Sequence, residues 1–390
     1  MIKTASPLKV MVAGLFSLIL TMGVARFSYT PLLPTMLNET FLNNASGGWL
    51  ATINYMGYML GALIAASISN LKLKDTLYRV GLIVAILSTI GMALAENYIL
   101  WGVMRFLAGL SSAAGLLIGS GLILNWMLRH EHRPELGIHF GGLGLGIAVS
   151  AAVTMLMADK FNWVQQWQVF TLVGMVLAIP AWFWLPRPDD SALSNKGANL
   201  VDNPPQKSWM HLLFAAYFCA GFGYVISATF LVAIIDNQPS LQGNGNLVWL
   251  VTGLAASPAC IIWDRIARKI GELKALFIAY GLNIIGIIIP AFDSSLTGVL
   301  FSGFLFGATF IGIVSLMLTM VGKFFPTKPA KPMGKLTLSY GVAQIVAPAM
   351  SGMIAESTGN YNTPLILAAI IMGIGMVLLV WLMSHRQYAT

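Results

Sequence analysis

Apolar stretches of about 20 residues, separated by short polar turns, leave a chain few ways to fold. A helix of that length crosses the roughly 30 Å hydrocarbon core with every backbone hydrogen bond satisfied internally. This sequence repeats the pattern twelve times, at 10–36, 48–70, 77–95, 98–127, 136–158, 164–185, 209–235, 246–263, 273–292, 295–320, 333–355 and 363–384. Charged residues make up 9% of the chain, against about 25% in soluble domains. The expected fold class is an all-α integral membrane protein. The first run far exceeds a signal peptide's apolar region and has no small-residue cleavage pattern after it, so it reads as a retained span. Cys219 and Cys260 both lie in apolar segments, which argues against a disulfide framework or a metal site.

The only long polar break, 186–208, holds four prolines and no apolar periodicity. It reads as a linker between a first six-helix half, 1–185, and a second, 209–390. Orientation follows from the basic residues. With a cytoplasmic N-terminus, 19 of the 22 lysines and arginines fall on inner segments. Lys160 alone falls outside, and Arg26 and Arg105 lie within spans. Both termini are then cytoplasmic, and the net charge of +8 is a topological signal that gives no reason to invoke nucleic acid.

Six spans per half make the halves parallel repeats. After span eight comes CIIWDRIARK, with Asp264, Arg265 and Arg268 in a basic turn. The matching turn after span two is AASISNLKLKD, where Asn70 stands opposite Asp264. Span four carries RFLAG from Arg105 to Gly109, and span ten carries GFLFG from Gly303 to Gly307 in register. The first of these turns resembles the loop signature G-x-x-x-D-R-x-x-R-[RK] of the major facilitator superfamily (MFS), with Cys260 at its glycine position. The R-x-x-x-G of span four resembles that superfamily's second signature, and ARFSYTPLLP is similar to the start of its YbfB/YjiJ-type bacterial branch. The resemblance covers the whole chain. It implies a secondary transporter of the bacterial inner membrane, with spans 1, 4, 7 and 10 lining a central cavity. Two departures stand out: the first-half turn lacks the signature's Asp, and GGLGLG (Gly141 to Gly146) replaces the Gly-Pro pair of many drug/proton antiporters.

Arg26 is the sole charge in its span, roughly 24 Å from the cytoplasmic end, and Arg105 falls at similar depth. An arginine at the centre of a spanning helix costs about 2.5–3.5 kcal/mol. Two such guanidiniums with no deep carboxylate in spans 1–6 point to an anionic substrate group held bidentately, with a structural gate or helix-end pairing as the other reading. Tyr29, three positions from Arg26, shares its face. Pro31 cannot bond the carbonyl of Phe27, so the helix is expected to open one turn beyond Arg26. Uncharged candidates for the same cavity are the pairs Asn54/Tyr58, Tyr217/Tyr224 and Tyr340/Gln344, with Asn283. Each alone is equally an interhelical hydrogen bonder, worth about 0.6 kcal/mol. Asp264 is expected to pair with Arg265 or Arg268 as a gating latch, with Asn70's turn the weaker counterpart.

His139, a few residues into span five, reads as interfacial. Asp236, Glu356 and Asp293 fall at outer ends, so proton coupling is not visible. Glycine pairs at 57/61, 115/119 and 137/141 read as helix contacts. Walker, H-E-x-x-H and G-x-S-x-G motifs are absent, and no cofactor is expected. The expectation is a monomeric alternating-access transporter of a small, carboxylate-bearing molecule in the lipid bilayer. Its rivals are a proton-coupled multidrug or metabolite efflux pump and a transport-inactive sensor of the same fold.

Overall fold

The computed structural model describes residues 6–130, 132, 136–158, 160–188, 202–325 and 330–384, and among them the chain is helical with no strand. The helices are α1 (Pro7–Glu39), α2 (Asn44–Ser67), α3 (Leu71–Gly91), α4 (Tyr98–Arg129), α5 (Gly137–Met157), α6 (Trp163–Phe183), α7 (Lys207–Asp236), α8 (Gly245–Ala256), α9 (Ala259–Ile270), α10 (Glu272–Phe292), α11 (Leu296–Phe324), α12 (Ala330–Thr358) and α13 (Asn362–Ser384). Ten of them are long and apolar enough to cross a membrane, and the α8–α9 pair, bent by 47°, makes an eleventh. The third expected span falls on α3, whose first half carries Lys72, Lys74, Asp75 and Arg79 and is too charged for that test. CIIWDRIARK is helical throughout rather than a turn: α9 runs to Ile270 and ends where Gly271 adopts φ 88°. The expected linker lies mostly outside the described residues.

Two compact units are present, one of Met1–Leu42 with Ile53–Asn195 and one of Asn43–Thr52 with Lys196–Thr390. In the first, α2 and α4 cross backbone to backbone. A Cβ on Gly57 would stand 2.0 Å from the Phe106 carbonyl oxygen, and one on Gly109 2.0 Å from that of Asn54. The second unit repeats the crossing between α8 and α11, where a Cβ on Gly307 would meet the Thr252 carbonyl at 2.1 Å. The aligned glycines of RFLAG and GFLFG thus do the same job. Gly109→Ala is expected to destabilise the protein by about 1–3 kcal/mol, because a carbonyl cannot rotate away as a side chain can. Thermal unfolding in detergent checks this against Gly121→Ala, whose Cβ meets nothing within 4 Å.

On α5, Gly142 and Gly146 are close helix contacts. A Cβ on Gly142 would reach the Leu15 carbonyl at 2.7 Å, and one on Gly146 the Gly23 Cα at 2.8 Å. In the second unit, the start of α2 lies on α12. The Thr52 hydroxyl donates to the Ile345 carbonyl (2.7 Å) and accepts from the Ala349 N–H (3.1 Å), which brackets Pro348. Those two groups are i, i+4 partners, so the hydroxyl bridges a rung of the α12 ladder beside its proline.

Candidate functional site

Residues Ile19–Phe27 of α1 form a π-helix, closed by the Ser28 N–H donating to the Gly23 carbonyl at 2.9 Å. Such i→i+5 segments are rare and often sit at functional sites. Local chemistry suits the widened turn. Gly23 lets the α5 backbone press against it, and the hydroxyls of Thr21 and Ser28 bond back to the carbonyls of Ser17 and Val24. Pro31, five residues beyond Arg26, has no N–H to continue the pattern. The irregularity therefore precedes Pro31 instead of following from it. Pro31 stands in the first turn of the resumed α-helix, Tyr29–Glu39, where a missing N–H costs least. A second π turn, Ala114–Ile118, lies in α4, and the Ser112 hydroxyl just before it donates to the Thr21 carbonyl at 2.8 Å.

Arg26 is buried, 4% exposed, with its guanidinium carbon 4.4 Å from the Tyr55 ring centroid, 4.6 Å from that of Tyr58 and 5.5 Å from that of Phe27. A desolvated cation–π contact contributes about 2 kcal/mol or more. Two tyrosine faces thus offset the insertion cost of the arginine, and they solvate its charge without cancelling it. Arg105, 3% exposed, donates to the carbonyls of Ala25 (3.2 Å) and Arg26 (3.4 Å). Its guanidinium carbon lies 4.4 Å from the Tyr29 ring centroid. Tyr29 thus packs against Arg105. Arg105's own carbonyl accepts from the Asn54 amide at 2.8 Å. The structure therefore brings Arg26, Tyr29, Asn54, Tyr58 and Arg105 together. Tyr55 is the member missed, although Tyr55 and Tyr58 share a face at i, i+3.

In the second unit, Tyr217 and Tyr340 stack at 4.5 Å between centroids, and Tyr224 lies 5.9 Å from Tyr340 and 5.1 Å from Phe310. Gln344 is buried one turn along α12 from Tyr340. Asn283 departs from this set: its amide donates to the Thr309 hydroxyl at 2.7 Å and ties α10 to α11.

The ionic groups differ between the two halves. Asp264 pairs with Arg268 at 2.7 Å, but the side chains are 44% and 75% exposed and lie on one helix. Such a pair contributes about 0.3–0.5 kcal/mol. In the first unit, Asp75 and Arg79 are buried and paired at 3.1 Å. Arg187 adds a contact to Asp75 at 2.9 Å, and Arg79 donates to the carbonyls of Trp182 and Leu185 at the end of α6. Asn70 caps α3, accepting from the Leu73 N–H at 3.0 Å. Asp236, Glu356 and Asp293 accept from backbone N–H groups of neighbouring turns.

A family model described as "Uncharacterised MFS-type transporter YbfB" matches residues 18–380. The chain belongs to that family. The transporter is 24% identical to an MFS-type transporter, YceJ, of Bacillus subtilis, across 67% of each chain. It is 21% identical to a probable sulfoacetate transporter of Cupriavidus necator, across 74% of this chain and 73% of that one. A niacin transporter of Acinetobacter baylyi matches at 24% over 45% of this chain and only 38% of its own length. Among solved structures, a nucleoside transporter, NupG, superposes with a TM-score of 0.75 over 96% of this chain and 99% of its own, at 12% identity. A bacterial homologue of the lysosomal transporter Spinster gives 0.72 over 98% and 97%, at 14% identity. The fold is that of MFS transporters, and the transporter is a multi-pass membrane protein.

Proposed function

We propose that the protein is a secondary transporter of a small carboxylate-bearing molecule, working by alternating access between two parallel six-helix halves. In this reading twelve helices span the bacterial inner membrane, α3 among them, with both termini cytoplasmic. The observation that carries the cargo assignment is the convergence of two buried guanidiniums on one π-helical turn. Arg105 grips the turn's carbonyls, and Arg26 projects from the same turn between tyrosine faces. Aromatic walls leave the positive field in place, so an anion entering there gains Coulombic stabilisation as well as the forked hydrogen bonds of a guanidinium. The names of two relatives, for niacin and for sulfoacetate, are of small acids, which supports the same cargo class.

The test uses matched acid and amide ligands, nicotinate against nicotinamide and benzoate against benzamide, in thermal unfolding of the purified protein. A ligand at 100 times its Kd stabilises by about 2.7 kcal/mol. The acids are expected to raise the midpoint and the amides to leave it unchanged. Amides that stabilise as well as the acids, or acids without effect, would refute the cargo class.

A further inference from the structure

A buried tyrosine usually finds a partner for its hydroxyl, because that group is costly to leave desolvated and unpaired. Tyr55 and Tyr58 depart from this. They are 5% and 8% exposed, and among the described residues neither hydroxyl has a hydrogen-bond partner. The unpaired polar atoms that are fully enclosed beside them are the Arg105 Nε and the Asn54 Oδ1. The two tyrosine oxygens are not among those atoms, so the small accessible part of each residue takes in its hydroxyl.

That opening lies away from the outer face of α2. Trp49, Met56, Leu60 and Leu63 are its exposed large side chains, and they form one stripe along the helix. At about 100° per residue, Tyr58 stands opposite the stripe and Tyr55 about a third of a turn from it. Both rings instead seat the Arg26 guanidinium carbon, at 4.4 Å and 4.6 Å from their centroids. A phenol oxygen is rigidly fixed to its ring. The rotamers that stack the rings on the cation therefore also hold two O–H groups at the edge of it.

We propose that the hydroxyls of Tyr55 and Tyr58 are ligands of the cargo's anionic group, donating to the lone pairs that the Arg26 fork leaves over. This rests on the transport reading above and says which further atoms read the acid. A carboxylate brings two oxygens, about four lone-pair sites and no hydrogen of its own. The fork and the two hydroxyls together supply four donors, so each site has one. An amide turns an NH2 toward that array of donors and leaves part of it unmatched. The two tyrosines then have two separable roles: the ring faces hold the cation, and the oxygens bind what the cation attracts.

Phenylalanine keeps the face and removes only the oxygen. Tyr55→Phe, Tyr58→Phe and the double variant, in nanodiscs, are titrated calorimetrically with benzoate and with cyclohexanecarboxylate beside the wild type. Each single change is expected to weaken benzoate at least tenfold, the scale of a hydrogen bond to a charged group. The factor should be the same for cyclohexanecarboxylate, since the lost bond is to the carboxylate that both acids share. The unfolding midpoint without ligand should not fall, whereas Tyr58→Leu, which removes the face as well, should lower it. Acids bound by the double variant as tightly as by the wild type would overturn the proposal and leave the cargo class standing. So would a loss confined to one of the two acids, or a midpoint lowered by both phenylalanine changes. A wild type that binds neither acid would sink the cargo class, and this assignment with it.

Discussion

Arg26→Ala is expected to weaken nicotinate binding by about 2–5 kcal/mol, the usual cost of removing one partner from a buried, hydrogen-bonded charge pair. At 1.4 kcal/mol per tenfold, that is roughly 30- to 4,000-fold. Stability should change far less. The variant loses the cation–π contacts with Tyr55 and Tyr58, about 2 kcal/mol each, and regains the insertion cost of about 2.5–3.5 kcal/mol, so the two terms largely offset. Arg26→Lys keeps the charge but not the planar fork, so it should fold normally and recover little affinity. Arg105→Ala should behave differently. Its fork grips the carbonyls of Ala25 and Arg26, so it acts as a positioning residue, and its loss should lower stability and affinity together. Calorimetric titration beside thermal unfolding separates the cases. If Arg26→Ala binds the acid as tightly as wild type, or does not fold, Arg26 is structural and the anionic cargo falls with it.

Asp75→Ala should be the most damaging single change to the fold, costing about 3–5 kcal/mol, because it leaves Arg79 buried without its carboxylate. The damage should be repaired by a second apolar replacement. Asp75→Ala with Arg79→Met removes both charges, and the pair is expected to regain most of the loss, giving a large coupling in a double-mutant cycle. Denaturant unfolding in detergent measures all four corners. A single-variant loss under about 1 kcal/mol would show that water or the Trp182 and Leu185 carbonyls already stabilise Arg79.

The helices were legible because the period of a membrane span is its length, which composition reveals directly. Arg26 and Arg105 were legible because an intramembrane charge is rare. What escaped was anything that depends on register. The π turn has no sequence rule, and the contact of Tyr29 with Arg105 is not one that spacing reveals. The burial of His139 escaped because the ring sits a few residues into its helix, beside the exposed Ile138. Asp75 was hidden among the basic residues of a polar turn, where topology explains a charge well enough that its burial goes unsuspected. Only the end of α6, more than a hundred residues away, reveals it.

A π segment is an α-helix carrying a spare residue. Each residue of an α-helix turns the chain by about 100°, so absorbing or releasing that spare would swing Arg26 by about a quarter turn while the far ends of α1 stay seated. The carbonyls of Ala25 and Arg26 act as the detent, since Arg105 holds them only in the present register. A local slip inside one helix would re-aim Arg26, and it would have to break the Arg105 bonds, the Ser112 bond to the Thr21 carbonyl and the contacts with Tyr55 and Tyr58.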